Sequence, residues 1–294
     1  MKIYGAGLAG LLAACVWQHA PIFEASTQPA VHKALLRFRS KAVSDLTGIP
    51  FRQVRVHKGV WYQGEYHAPN IRFANWYALK VSQVVKDRSI WNIESVDRYI
   101  APENFIEQLL HRHAARIQWG HILSHLHHEV GPAISTIPMS VMAVMMDPNH
   151  RQTFTYAPIV VKRWRVPDAD VYQTVYFPDP STSLYRVSIT KDLVVAEYMH
   201  TSDDYNFWPA FGLTDDMVIP HDRSSQRFGK IATLEDETWR KQFIYELSQR
   251  WKIYSVGRFA TWRNILLDDV VNDLHVVSRL INASPYERLK EAHR

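Results

Sequence analysis

The sequence contains a single cysteine, Cys15, in 294 residues. That excludes an internal disulfide framework, a thiolate-only metal cage and a dithiol redox pair, and it makes a reducing cytoplasm the expected compartment. Glycine and proline number only 11 and 15 and are scattered, so the chain is neither collagenous nor of low complexity. No repeat of solenoid length occurs, and no apolar run is long enough to span a bilayer. Charge of one sign is not concentrated either: 34 Lys and Arg against 29 Asp and Glu leave a net +5. This excess favours anionic ligands such as phosphates, nucleotides or nucleic acid, without the density of a dedicated DNA-binding module.

What is present is an apolar fraction of 47%, enough for one large or two modest cores, and 10 tryptophans. Several of these lie in polar surroundings, as in Trp61-Tyr62, Trp76-Tyr77 and Trp91-Asn92. Such rings can stack on flat ligands, although core packing is their commoner use.

The N-terminus has the outline of a signal peptide, since Lys2 precedes an apolar stretch through Leu11-Leu12-Ala13-Ala14. A signal sequence has no use for fixed glycine spacing, so the mature fold is expected to start at residue 1. The order is Lys2-Ile3-Tyr4, then Gly5-Ala6-Gly7-Leu8-Ala9-Gly10, a helix-forming run from Leu11 to His19, and Pro21-Ile22-Phe23-Glu24-Ala25. A Gly-x-Gly-x-x-Gly thus joins a strand to a helix, and a second strand ends in an acid. Each part has a physical role in dinucleotide binding. Gly5 allows the tight turn, Gly7 lets backbone approach a pyrophosphate at the helix N-terminus, and Gly10 permits close helix–strand packing. Glu24 can accept hydrogen bonds from a ribose, and its charge disfavours a 2′-phosphate, which leaves FAD or NAD. Cys15 falls inside the helix as an inert thiol.

Further along, His32 to Ser40 reads as a basic, helix-like segment whose Arg37 and Arg39 are placed to reach a pyrophosphate. Arg98 to Trp119 reads as loop, helix with Pro102 in its first turn, and strand. Ala133 to Met139, which includes Thr136, reads as a buried strand leaving the sheet at a proline. Ile253 to Trp262 reads as a strand followed by a glycine turn at Gly257, and Asn264 to Leu280 as a helix with Asp268 and Asp269 early in it.

The N-terminal glycines, Ile134-Ser135-Thr136-Ile137-Pro138 and Gly257-Arg258-Phe259-Ala260-Thr261-Trp262 with Asp268-Asp269 resemble the FAD-dependent amine-oxidase superfamily, and within it the UDP-galactopyranose mutases. Val175 to Asp179, Leu184-Tyr185-Arg186-Val187 and Phe228-Gly229-Lys230-Ile231 add to the likeness. The resemblance implies an α/β fold: a Rossmann-like FAD-binding domain with an inserted antiparallel β-sheet substrate domain. It implies FAD as cofactor, with Gly257, Arg258 and Trp262 at the flavin end and Asp268 or Asp269 serving the ribityl chain. Leu8, Ala9, Ala25 and Thr136 complete the implied cofactor set. The histidine-rich, sugar-handling loop of the mutases cannot be matched residue by residue: Phe51 to Tyr66 stands instead, alternating as a hairpin does.

The expected division is FAD-binding segments at 1–45, 98–150 and 236–294, a hairpin insertion at 46–97 and an antiparallel substrate domain at 151–235. Within the last, Ile159–Trp164, Val171–Phe177, Leu184–Thr190 and Leu193–Tyr198 are β-rich runs. Tyr176, Tyr185, Arg186 and Trp262 are the candidates for lining a catalytic pocket, Arg186 toward an anionic substrate group. Sheet core is the competing role for the aromatics. His121, His125, His127 and His128 carry no HExxH or facial-triad companion and read as solvated rather than as a metal site.

Flavin chemistry asks little acid–base machinery of the protein. The expected function is therefore an FAD-dependent oxidoreductase acting on a C–N or C–H bond. The short chain and the tract from Thr47 to Trp61 are also similar to small phage flavoproteins of thymine hypermodification in DNA. That likeness implies a glycyl-like adduct on a flipped base as substrate and DNA as partner, in the host cytoplasm. A redox-neutral sugar-nucleotide mutase and a noncatalytic nucleic-acid-binding flavoprotein are the alternatives.

Overall fold

A computed structural model describes residues 1–29, 36–85, 90–124, 126, 131–232, 234, 236–281, 283–284 and 286–287. In chain order the elements are β1 (Lys2–Tyr4), α1 (Leu8–Val16), β2 (Ile22–Glu24), β3 (Arg37–Phe38), α2 (Ala42–Thr47), β4 (Arg52–Tyr62) and β5 (Glu65–His67). There follow α3 (Ile71–Ser82), β6 (Val96–Ile100), α4 (Phe105–His113), β7 (Ile117–Trp119), β8 (Ala133–Ser135), α5 (Met139–Met146) and β9 (Tyr156–Arg165). The remainder is β10 (Val171–Tyr176), β11 (Leu184–Lys191), β12 (Leu193–Met199), β13 (Ile219–Ile231), α6 (Glu237–Arg250), β14 (Ile253–Ser255) and α7 (Leu267–Ile281). The chain divides into one unit of Met1–Gln53, Tyr99–Phe154 and Thr233–Arg294 and a second of Val54–Arg98 and Thr155–Ala232. Among the described residues no helix is long and apolar enough to cross a membrane.

The first unit is built on a parallel sheet of order β14-β8-β1-β2-β7. Its strands are only three residues long, and β8 and β14 are buried throughout, as a parallel sheet covered on both faces requires. α1 contributes Leu11, Leu12, Ala13 and Ala14 to the core. α7 contributes Val270, Val271, Leu274 and Val277, a spacing that gathers them into one stripe. At about 1.5–3 kcal/mol per large apolar side chain, that stripe is what docks α7.

A buried polar staple ties α1 to α4. Arg116 donates to the carbonyls of Ala14, Trp17 and Ala20 and to His113 Nδ1 (2.6 Å), and His113 Nε2 lies 3.5 Å from Cys15 Sγ. Since Nδ1 accepts, the neutral ring carries its proton on Nε2, directed at the sulfur. Burial, then the charges of Arg116 and Arg112, push His113 down to about 4. Burial also pushes the Cys15 thiol up, which fits an inert helix residue.

The second unit holds a sheet in which β13, β9, β12, β11 and β10 are successively antiparallel. β4 then joins β10 in parallel and pairs with β5 as a hairpin, so the expected antiparallel sheet is mixed at that edge. A parallel neighbour is available because β4 comes from a separate stretch of chain and needs no tight turn to reach β10. One face carries Val175, Val187, Val194, Ala196 and Tyr198 against Phe207 and Trp208. On the other, Phe73, Ala74 and Tyr77 of α3 cover Val60, Val161 and Tyr185.

Three local expectations change. The described part of the basic segment is strand, not helix: β3 pairs antiparallel with β6, and Phe38 packs on Phe51 (5.0 Å) and Phe105. Tertiary packing of one aromatic outweighs the helix propensity of its neighbours; residues 32–35 lie outside the described residues. Pro102 sits in the turn before α4, its carbonyl accepting from Phe105 N (3.0 Å). The C-terminal helix begins at Leu267 rather than Asn264.

Candidate functional site

In the first unit the chain leaves β1 and enters α1 through Gly5-Ala6-Gly7. Gly5 has φ +102°, and a Cβ there would stand 2.1 Å from Thr136 Oγ1. Thr136 is fixed in turn, its N and Oγ1 both donating to the Tyr4 carbonyl at 2.9 Å. A Cβ on Gly10 would meet the Gly5 carbonyl oxygen at 1.9 Å, and one on Gly257 would lie 2.9 Å from Ala9 Cβ. These glycines are glycine because protein atoms occupy the space.

Gly7 is different. Its φ of −71° suits any residue, and a Cβ there would meet nothing within 4 Å. It caps α1 with no side-chain hydrogen bond to the helix, and the first turn holds no acid. The first-turn amides of a helix have no intrahelical partners and carry partial positive charge. Amides of this kind favour a negative group wherever one can reach them.

Glu24 closes the turn from β2. Its Oε2 accepts from Ala6 N (2.7 Å) and its Oε1 from Ser26 N (2.9 Å). A carboxylate offers about four acceptor sites, so two amides do not exhaust it. Ala25, beside it, is exposed. Backbone N–H of His121 donates to the Glu24 carbonyl (2.9 Å) and its ring packs on Phe23 (4.5 Å), which places His121 as a neighbour of the turn. His125, His127 and His128 lie outside the described residues.

The structure brings Arg39, Asp268 and Asp269 together, with one another. Asp268 is buried and accepts from Arg39 N (3.1 Å), Ser40 N (3.0 Å) and Ser40 Oγ (2.8 Å). Asp269 pairs with Arg39 Nη2 through both oxygens (2.8 and 2.7 Å) and also accepts from Leu266 N. Arg37 sits apart, in the β3–β6 pair. Arg258 follows the Gly257 turn, half-buried, its guanidinium 5.5 Å from the Phe259 ring.

In the second unit Tyr185 and Arg186 meet a carboxylate that motif reading missed, and Tyr176 of β10 is the register partner of Arg186. Glu197 accepts from Tyr185 OH (3.0 Å) and from Arg186 Nε. Tyr77 meets Tyr176 and Tyr185 edge-on, at 5.4 and 6.3 Å, and Lys230 lies 4.6 Å from the Tyr185 ring. Burial would push Glu197 up, but the Arg186 guanidinium and its hydrogen bond hold it down to about 2. Burial, with the Glu197 charge, holds the Tyr185 phenol well above its ordinary value. Glu197 was open to discovery by counting: β11 and β12 pair outward from Thr190 and Leu193, which sets Arg186 opposite Glu197. The register shifts between Leu184 and Arg186, as at a bulge that re-aims a side chain.

Trp262 belongs to the first unit. It is buried with φ +46° and packs edge-on against Phe154 at 4.9 Å, the core role open to the aromatics. An open depression of about 540 Å³ on α4, lined by Asn104, Glu107, Gln108, His111 and Arg112, shares no residue with either group; one helix face alone gives it no chemistry.

No protein-family model matches the sequence, and comparison with curated proteins finds no match. Solved structures do match in fold. A reduced UDP-galactopyranose mutase is similar with a TM-score of 0.70 at 12% identity, over 96% of this chain and 94% of that one. An oxidoreductase from Methanosarcina mazei is similar with a TM-score of 0.59 at 10% identity, over 95% and 100%. A protein proposed as an FAD-containing monooxygenase, from Photorhabdus luminescens subsp. laumondii TTO1, is similar with a TM-score of 0.54 at 10% identity, over 99% and 92%. The α/β architecture expected from the sequence, Rossmann-like with a sheet-bearing insertion, is thus a fold shared with these solved structures.

Proposed function

We propose that the protein is an FAD-dependent oxidoreductase of the amine or amino-acid oxidase type, acting on a C–N or C–H bond. The observation that carries this reading is Gly7: a glycine that neither its own backbone angles nor any neighbouring atom demands, facing open space at an uncapped helix N-terminus. Glycine there leaves room for a group that is not protein. The amides at the start of α1 would hold the pyrophosphate and Glu24 the adenosine ribose, in the fold shared with an oxidoreductase and a proposed FAD-containing monooxygenase. Bound FAD supplies a two-electron acceptor for hydride from the substrate, and oxygen or another acceptor reoxidises it. Glu197 orients Arg186 through Nε, which leaves the other guanidinium nitrogens for an anionic group of the substrate.

For the substrate we propose a glycyl-like amino-acid adduct on a hypermodified thymine in DNA, met in the cytoplasm, that of the host if the protein is phage-encoded. Arg72, exposed and stacked on Trp76 (4.9 Å) and Phe73 (5.1 Å), supports this by offering a base-stacking and phosphate contact. A redox-neutral sugar-nucleotide mutase is the second reading, supported by the likeness to a UDP-galactopyranose mutase. Anaerobic titration of the yellow protein with glycine, other amines, UDP-galactose and amino-acid-modified DNA separates these readings. Bleaching of the flavin band by an amine supports the oxidase. Turnover of UDP-galactose without net bleaching supports the mutase, and a colourless protein unable to take up FAD removes both.

A further inference from the structure

Among the described residues β13 is the outermost strand of its sheet, paired with β9 on one side only, and most of Ile219 to Phe228 is exposed. Along such an edge, alternate N–H and C=O groups point away from the sheet and are free to pair with another strand. Pro220 and the register shifts between Pro220 and Asp222 and between Gln226 and Lys230 interrupt both ends. Between them, Asp222 to Gln226 is a regular ladder.

The charges on this ladder are not balanced. Asp222 is taken by buried Arg163 (2.7 Å), which also donates to Ser224 Oγ (3.0 Å). On the alternate side of the strand Arg223 is directly opposite Lys162 of β9, and like charges directly opposed weaken a strand pair. Lys162 leans on the Tyr198 ring (5.3 Å) and, among the described residues, donates to the backbone carbonyl of Asp203 (3.4 Å) rather than to a carboxylate. The Asp203 carboxylate is engaged by Thr182, Ser183 and Tyr205 N. Among the described residues Arg223 has no hydrogen-bond or ion-pair partner. Arg227 lies just past the ladder, within the register shift between Gln226 and Lys230, and donates to the uncharged hydroxyl of Tyr156 (3.0 and 2.8 Å).

We propose that the β13 edge docks an extended acidic segment of a partner protein, which adds as a further strand along Asp222 to Gln226 and sets one carboxylate against Arg223 and another, past the end of the ladder, against Arg227. The backbone ladder supplies affinity without sequence preference, and the two guanidinium groups select for acid. The proposal is independent of the flavin reading.

The test is fluorescence anisotropy of a labelled peptide of alternating Glu and Val with the full chain at low and high salt. Saturable binding is expected, weakened about tenfold by Arg223→Gln with Arg227→Gln and by salt. It is expected to be lost when every second peptide amide is N-methylated, an arm that leaves the protein unaltered. Equal binding of the N-methylated peptide, or of a Lys-Val peptide, overturns strand addition by an acidic segment. So does displacement of the peptide by single-stranded oligothymidylate, or sedimentation showing this edge closed by a second copy.

Discussion

The side chain of Glu24 accepts the backbone N–H of Ala6 at 2.7 Å, across eighteen residues of sequence. The acid at the end of β2 therefore shapes the glycine turn in addition to its proposed role toward the cofactor's ribose. Glu24→Gln keeps one carboxamide oxygen for one amide and presents an NH₂ group to the other. It is expected to cost about 1–2 kcal/mol in chemical denaturation and to weaken FAD binding by about tenfold. Intact flavin affinity would remove Glu24 from the cofactor site while leaving its place in the turn.

The glycines separate fold from ligand. Gly10→Ala drives a methyl into the Gly5 carbonyl and is expected to destabilise by about 3 kcal/mol, the scale of overpacking in a tight core. Gly7→Ala meets no protein atom, so its expected cost is only that of alanine in place of glycine at a helix N-cap, about 1 kcal/mol. Its FAD content after reconstitution should nonetheless fall sharply. A Gly7→Ala protein that binds FAD normally would contradict the proposed pyrophosphate site.

How much of this was legible from residue order follows from which constraints are local. The strand-turn-helix around Gly5, Gly7 and Gly10 is local, and so was readable. So were β9 to β12, whose alternation and turn residues are continuous in sequence. Arg37 and Phe38 misled because their strand exists only through Phe51, Phe105 and β6, none of them adjacent in the chain. Arg39, Asp268 and Asp269 were each recognised as notable, yet nothing in sequence shows that they satisfy one another across about 230 residues. Glu197 lay between these cases, recoverable from hairpin register but carrying no motif.

Asp268 and Asp269 are neighbours with opposite expected costs. Asp268 is buried and accepts from two amides and a hydroxyl, so Asp268→Ala leaves buried donors unpaired and should cost about 2–3 kcal/mol. Asp269 faces Arg39 with both side chains more than a third exposed and accepts from Leu266 N in an exposed setting, so Asp269→Ala should cost about 1 kcal/mol. Equilibrium urea unfolding of the two variants measures both. Equal losses would mean that Asp268 is not the anchor of the Arg39–Ser40 turn.

His113 sets an acid limit on stability. Burial and two arginines depress its folded value to about 4 from an ordinary 6.5, so between those pH values the unfolded chain binds the proton and the folded chain does not. Its contribution is full above about pH 6.5 and is lost as pH falls toward 4, up to about 3 kcal/mol. His113→Gln retains an acceptor for Arg116 and a donor for Cys15 but cannot titrate. Its unfolding free energy should therefore fall less steeply than that of the parent protein through this window, the two curves converging or crossing in acid. Parallel curves from pH 6.5 to 4 would show that His113 is not held neutral by the α1–α4 staple.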